Sequence, residues 1–317
     1  MRIAYLDCFS GISGDMLLGA MVDAGVPLSV LSDAAAALHV GARLEARKVM
    51  RGGLTATKVD VITGESSGSE PGVGDRDHAG ASRGAHAHED SHVHSHTHSH
   101  EHVHADGQSL VHPHEHAHAH EHGHAHEHID SQGHDHSHEH HTHEHHRSLS
   151  TILGIIGTAQ LADEVKERAA RGFQLLGEAE AAIHSIPVEQ VHFHEVGAVD
   201  TIVDIVCAAV GAKELGVERW MASPLNVGSG TVNCAHGTLP VPAPATLALL
   251  RDAPIYSAGP AMERVTPTGA TILRMFNVEY ASLPAMRVAA TGYGAGGRET
   301  AGPVSYTHLT LPTNREV

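Results

Sequence analysis

Between His92 and His146 a histidine stands at nearly every second position, and 27 of the 33 histidines fall between His78 and His146. In an extended chain, H-x-H places two imidazoles on one side about 7 Å apart. A flexible chain can also fold back so that two or three converge on one ion. Imidazole suits Co, Ni, Cu and Zn, with affinity generally rising from Co through Ni to Cu. The candidate ligands are His92, His94, His96, His98, His100 and His102, then His114, His116, His118, His120, His122, His124, His126 and His128, and finally His136, His138, His140, His141, His143, His145 and His146. Interspersed Asp and Glu residues add oxygen ligands and raise the local cation concentration. The plain alternative is a solvating linker enriched in histidine by repeat expansion.

Four further stretches carry residue types that can do chemistry. In "VHFHEVGAVDTIVDIV", His192 and His194 share a face if extended, Glu195 follows, and Asp200 and Asp204 form an i, i+4 pair on one helix face. Two imidazoles with carboxylates can hold a divalent ion and leave positions open for catalysis; otherwise Asp200 caps the helix and Asp204 is an ordinary solvated acid. In "LDCFSGISGDM", a strand ending at Asp7 runs through Ser10, Gly11, Ser13 and Gly14 to Asp15 at a helix start. Such a turn can cradle a phosphate, although without the lysine it is not a P-loop, and Asp15 can be read as an N-cap. "VTPTGAT", with Thr266, Thr268 and Gly269, is a second candidate anion-binding turn. Cys234 and His236, two apart in a glycine-rich loop, pair a soft sulfur with an imidazole that could handle nickel or activate a nucleophile. A buried free thiol is the plain alternative for Cys234.

The elements that must position these residues follow from periodicity. "RIAYLDCF" reads as a strand leading through a Gly/Ser turn into a helix, and "PLSVLSDAAAALHV" as a second helix started by Pro27. Alternation on both sides of Gly52-Gly53 predicts a hairpin. Residues 65–147 lose all apolar periodicity and are expected to be a disordered insert. From residue 148, helices broken near Gly157 precede a strand-like entry and another helix over "VDTIVDIVCAAVGAKELG". Extended "RWMASPLNVGSGTVN" follows, then helices that begin where the prolines of "PVPAPAT" and "TPTGAT" stop. Helices and strands alternate, so the expected class is α/β or α+β. An N-terminal segment over 1–64 would be completed by a core over 148–302.

Composition narrows the function. Aromatics are only 3% of the 317 residues, so the core must be aliphatic. The net charge of -17 is concentrated in residues 65–147, where 15 acids face three arginines; the rest offers no nucleic-acid footprint. Three scattered cysteines do not make a disulfide framework and fit a reducing, cytoplasmic setting. No stretch reaches the apolar length of a membrane helix or a signal peptide. The sequence leaves a homo-oligomer open.

In this order, "YLDCFSGISGDM", the histidine-rich insert, "VHFHEVGAVDTIVDIV", "GSGTVNCAHGTLPVPAPAT", "VTPTGA" and "GYGAGGR" resemble the LarC family of nickel insertion proteins, over residues 1 to about 302. The resemblance implies a nickel chelatase of the lyase class in nickel-pincer cofactor biosynthesis. It would deliver Ni(II) into pyridinium-3,5-bisthiocarboxylic acid mononucleotide, forming two Ni–S bonds and one Ni–C bond. In the family the reaction is coupled to hydrolysis of cytidine triphosphate (CTP) with Mn(II) or Mg(II). The product would serve a nickel-pincer-dependent enzyme such as a racemase. After "GYGAGGRETAGPV" the family continues into a domain associated with nucleotide binding. Here "SYTHLTLPTNREV" follows, so residues 303–317 are expected to be a foreign tail outside the fold, with the CTP site missing. A second function stays open, that of a nickel-storing or nickel-delivering chaperone without catalysis.

Overall fold

The apolar run after Arg2 forms the strand Ile3–Asp7 (β1), whose three middle residues are buried, as a strand covered on both faces must be. The computed structural model describes residues 2–64, 147–193, 197–297 and 306–312, and the backbone of 94–103 and 109–118. Around β1 lie Ala42–Arg51 (β2), Leu54–Thr63 (β3), Arg219–Ala222 (β4), Glu279–Tyr280 (β5), Val288–Ala295 (β6) and Tyr306–Pro312 (β7), in the sheet order β5-β4-β1-β7-β6-β3-β2. β4 runs parallel to β1 and β5, while β7 runs antiparallel to β1 and β6. The β2–β3 hairpin turns through Gly52 and Gly53 at φ +52° and +82°. Positive φ at both turn residues matches the strands' right-handed twist.

The helices are Gly14–Asp23 (α1), Leu28–Ala37 (α2), Leu149–Thr158 (α3), Asp163–His184 (α4), Val199–Glu214 (α5), Pro244–Leu249 (α6) and Pro267–Met275 (α7). Proline occupies the first turn of α6 and of α7, where no intrahelical N–H is lost. The break between α3 and α4 falls just beyond the expected Gly157. α5 is buried at every residue from Thr201 to Ala212 and packs against α1, α2, α4 and α7. A helix apolar on all sides belongs in a core.

Residues 303–317 were expected to stand outside the fold, and the structure corrects this for Tyr306–Pro312. That segment is β7, between β1 and β6, with Thr307, Leu309, Thr310 and Leu311 buried. Its Thr and Leu residues suit a half-buried pleated surface. Apart from this unit, which comprises residues 1–70 and 142–317, residues 71–141 form a second unit. Its described strands, His94–Val103 and Ser109–His118, pair antiparallel in a register that sets His96 opposite His116 and His98 opposite His114. The tract histidines named above that fall in neither strand lie outside the described residues.

The glycines of "GYGAGG" have a packing role. α1 lies on β6, and a Cβ added at Gly294 would overlap Met16 O, while one at Gly292 would overlap Ala20 O. Backbone cannot give way as a flexible side chain can. Gly294→Val is therefore expected to lower the urea midpoint, with a loss of about 3 kcal/mol or more, at the upper end of overpacking costs. A midpoint equal to that of the unaltered chain would show that α1 does not bear on β6 in this way.

Candidate functional site

Two cavities meet at Glu263. The first is bordered by Glu180, Ile183 and His184 at the end of α4, and by His192 and Phe193 just beyond. The hairpin Thr231–Cys234/Gly237–Pro240 adds Cys234, His236 and Leu239, and the starts of α6 and α7 close it. The His184 and His236 rings stand 5.0 Å apart, and His184 Nε2 lies 3.6 Å from Glu180 Oε2. Thr238 Oγ1 donates to Asn233 Oδ1 across the hairpin at 2.8 Å and Cys234 Sγ donates to Gly237 O at 3.3 Å, which pins the turn carrying His236. His184, His192 and His236 are exposed and Cys234 is partly exposed. Cys8 and Cys207, by contrast, are buried, and burial pushes both thiols well above the usual range. Cys234 is thus the thiol placed for soft-metal chemistry.

Of the sequence-predicted residues, His192, Cys234 and His236 are brought together here; His194 and Glu195 lie outside the described residues. His184 and Glu180 were not anticipated, although their i, i+4 spacing near a helix end was a usable signal. No three His, Cys, Asp or Glu residues among those described converge closely enough to hold an ion. The cavity therefore offers ligands to an incoming ion without enclosing one.

The second cavity is bordered by Ser10, Ser13, Asp15, Met16, Met262, Glu263, Arg264, Thr266, Gly296 and Gly297. It exists because two distant loops are stitched together. Ile12 N donates to Arg264 O at 2.9 Å and Thr266 N donates to Ile12 O at 3.2 Å. Gly11 sits at φ +87°, and a Cβ there would overlap Arg264 O; one at Gly269 would overlap Ile12 O. The starts of α1 and α7 consequently face the same space. Ser13 donates to Asp15 Oδ1, which also accepts from Met16 N at 2.9 Å, and Lys58 Nζ lies 3.5 Å from Asp15 Oδ2 and 2.6 Å from Asp60 Oδ1. Thr266 caps α7, accepting from Gly269 N at 3.1 Å.

Thus Ser10, Ser13, Asp15 and Thr266, singled out in the sequence, border this cavity, while Gly11, Gly14 and Gly269 allow close approach. Asp7 and Thr268 line neither cavity; Asp7 Oδ1 accepts from Phe9 N, and Thr268 meets the Thr201 hydroxyl at 3.4 Å. Arg264 was missed. It is only 4% exposed, and its Nε and Nη2 have no hydrogen-bond partner among the described residues.

Behind this cavity Asp200 and Asp204 part company. Asp200 is exposed in the first turn of α5, where its Oδ1 accepts from Thr201 N at 2.8 Å. Asp204 is not the solvated acid that spacing allowed: it is 9% exposed, packed where a Cβ on Gly14 would overlap it, and its Oδ1 has no partner among the described residues. Burial first, then the nearby Asp15 and Asp200 carboxylates, hold its acid well above the usual range, against the opposing pull of Lys58.

The nickel insertion protein family matches residues 4–316. A protein of Geobacillus kaustophilus named pyridinium-3,5-bisthiocarboxylic acid mononucleotide nickel insertion protein is 39% identical over 300 residues, 94% of this chain and 57% of that protein. One of the same name from Desulfitobacterium hafniense is 39% identical over 300 residues, covering 94% of this chain and 56% of its own length. The chain thus spans a little over half the length of these curated relatives. No solved structure matches it. With the family match running through nearly every element that builds the two cavities, the chain belongs to the nickel insertion protein family.

Proposed function

We propose that this chain inserts nickel into pyridinium-3,5-bisthiocarboxylic acid mononucleotide. One observation carries the reading: three imidazoles and a thiol border a cavity that shares Glu263 with a second cavity lined by a buried arginine, two of whose nitrogens have no hydrogen-bond partner among the described residues. The first suits a borderline metal ion and the second an anionic ligand. Nickel is a substrate in this scheme, collected by the tract imidazoles and passed to His184, His192, His236 and Cys234. His194 and Glu195, next along the chain, are proposed to act with them. Imidazoles exchange for the substrate's softer sulfurs as the two Ni–S bonds form. The Ni–C bond forms as the ring carbon releases its proton, and a neutral imidazole in the cavity is a suitable acceptor.

Coupling to CTP hydrolysis, hand-over to a nickel-pincer-dependent enzyme such as a racemase, and a cytoplasmic location rest on the LarC resemblance and the reduced cysteines. The described residues contain no three-ligand set that would fit Mn(II) or Mg(II). Among the described residues, no helix is long and apolar enough to cross a membrane.

The test supplies the chain with nickel, CTP, Mg(II) and the dithiocarboxylated nucleotide. A new visible absorption band, with nickel co-eluting on the nucleotide, is the expected result. Nickel that stays on the protein with no band would replace the proposal with the chaperone reading.

A further inference from the structure

We infer that the cavity bordered by Ser10, Ser13, Asp15, Arg264, Thr266 and Gly296 is a subsite for a phosphate monoester. The inference rests on the preceding reading only in supposing that the ligand is a mononucleotide, and it makes no use of nickel. Arg264 is the observation that points to a ligand. A guanidinium buried to 4% exposure with two nitrogens unpartnered among the described residues bears a desolvation cost that hydrogen bonds at those two nitrogens do not offset. An anion in the adjoining cavity supplies the missing acceptors, and a phosphate can do so with two parallel bonds.

The surrounding backbone is built for the same ligand. The bonds joining Ile12 to Arg264 and Thr266 to Ile12 bring the first turns of α1 and α7 to one cavity. Each brings a partial positive charge. The Ser13 hydroxyl makes no cap bond to the α1 backbone; it donates to Asp15 Oδ1 and would turn from that carboxylate to meet a phosphate.

Charge selects the class of phosphate. Asp15 and Glu263 border the cavity, and Lys58 lies behind Asp15. Arg264 and Lys58 are offset by Asp15, Glu263 and Asp60, so the cavity disfavours the larger charge of a triphosphate more strongly than the charge of about −1.5 to −2 on a monoester. A phosphate at this place would also hold the attached ribose and pyridinium beside Glu263, the residue shared with the imidazole cavity.

The experiment uses the full chain without nickel and measures binding by calorimetry. The ligands are nicotinamide mononucleotide, its phosphate-free riboside, inorganic phosphate and CTP. Expected are one-site binding of the mononucleotide, weaker binding of inorganic phosphate at the same site, and a loss of at least about tenfold on removing the phosphate. Arg264→Met should weaken the mononucleotide by at least about tenfold. It should also leave the ligand-free melting temperature unchanged or higher, because it relieves an unpartnered charge; an arginine with a purely structural role would show the reverse. If the Met variant does not fold, Arg264→Lys decides by the same affinity ratio, since it keeps the charge and loses the fork. Equal affinity for mononucleotide and riboside, or an unchanged affinity in the variant, would overturn the subsite. CTP binding as tightly as the mononucleotide would overturn the monoester assignment. Failure of nickel insertion would touch neither result.

Discussion

Replacing Cys234 and His236 together by alanine is expected to slow nickel transfer to the dithiocarboxylated nucleotide by at least about 100-fold, the upper end of what even outer-shell partners of a metal cost. Total bound nickel should hardly change. The two residues border the cavity with His184 and His192, whereas 27 of the 33 histidines lie between His78 and His146 and set the bulk capacity. Deleting residues 78–146 should give the mirror image. Most nickel equivalents disappear, the single-turnover rate at saturating nickel is retained, and the melting temperature holds, because residues 71–141 form a unit of their own. Bulk binding should also fall below pH ~6.5, where free imidazoles protonate. Nickel stoichiometry by calorimetry and the rise of the visible band measure the two effects separately. If the double substitution transferred nickel at the original rate, the cavity would not be the transfer site. If the deletion left stoichiometry intact, the tract would not be the collector.

Local chemistry made much of the fold legible. The Gly/Ser turn between β1 and α1, the Gly52-Gly53 hairpin and the proline-led starts of α6 and α7 each depend on residues adjacent in sequence. The features that escaped depend on distant partners. Asp204 looks like half of an exposed i, i+4 pair until Gly14, at the other end of the chain, is packed against it. Arg264 is an unremarked arginine two residues before a recognisable turn until Ile12 is bonded to its carbonyl and the Ser10–Ser13 loop closes over it. The stretch Tyr306–Pro312 reads as foreign beside the motifs before it, yet its alternating Thr and Leu fill the gap between β1 and β6. Residue type singled out His192 in one stretch and Cys234 with His236 in another, because a thiol and imidazoles share a preference for the same metals; that the two stretches meet, with His184, required the tertiary fold.

Asp204→Asn is expected to change the pH dependence of stability. Folded Asp204 keeps its proton to a pH well above the usual carboxylate range, whereas in the unfolded chain it ionises at an ordinary value. Between those two values the folded state binds more protons, so stability falls as pH rises through the window. Each unit of separation is worth about 1.4 kcal/mol. Asp23 and Asp60 act in the opposite sense. Although burial raises both, Asp23 is held below its ordinary value by Lys48, the Tyr293 N–H and the Thr57 hydroxyl, and Asp60 by Lys58 and Arg47. Their contribution is present above the ordinary carboxylate value and is lost as pH falls through the lowered one, a window that does not overlap that of Asp204. Asparagine keeps the side-chain volume against Gly14 and cannot ionise. Urea midpoints measured from pH 4 to 9 should therefore converge at the acid end, where Asp204 is protonated, and separate upward with the variant the more stable. Parallel curves across that range would mean that Asp204 is ionised in the fold at ordinary pH, and that Lys58 outweighs both its burial and its two acidic neighbours.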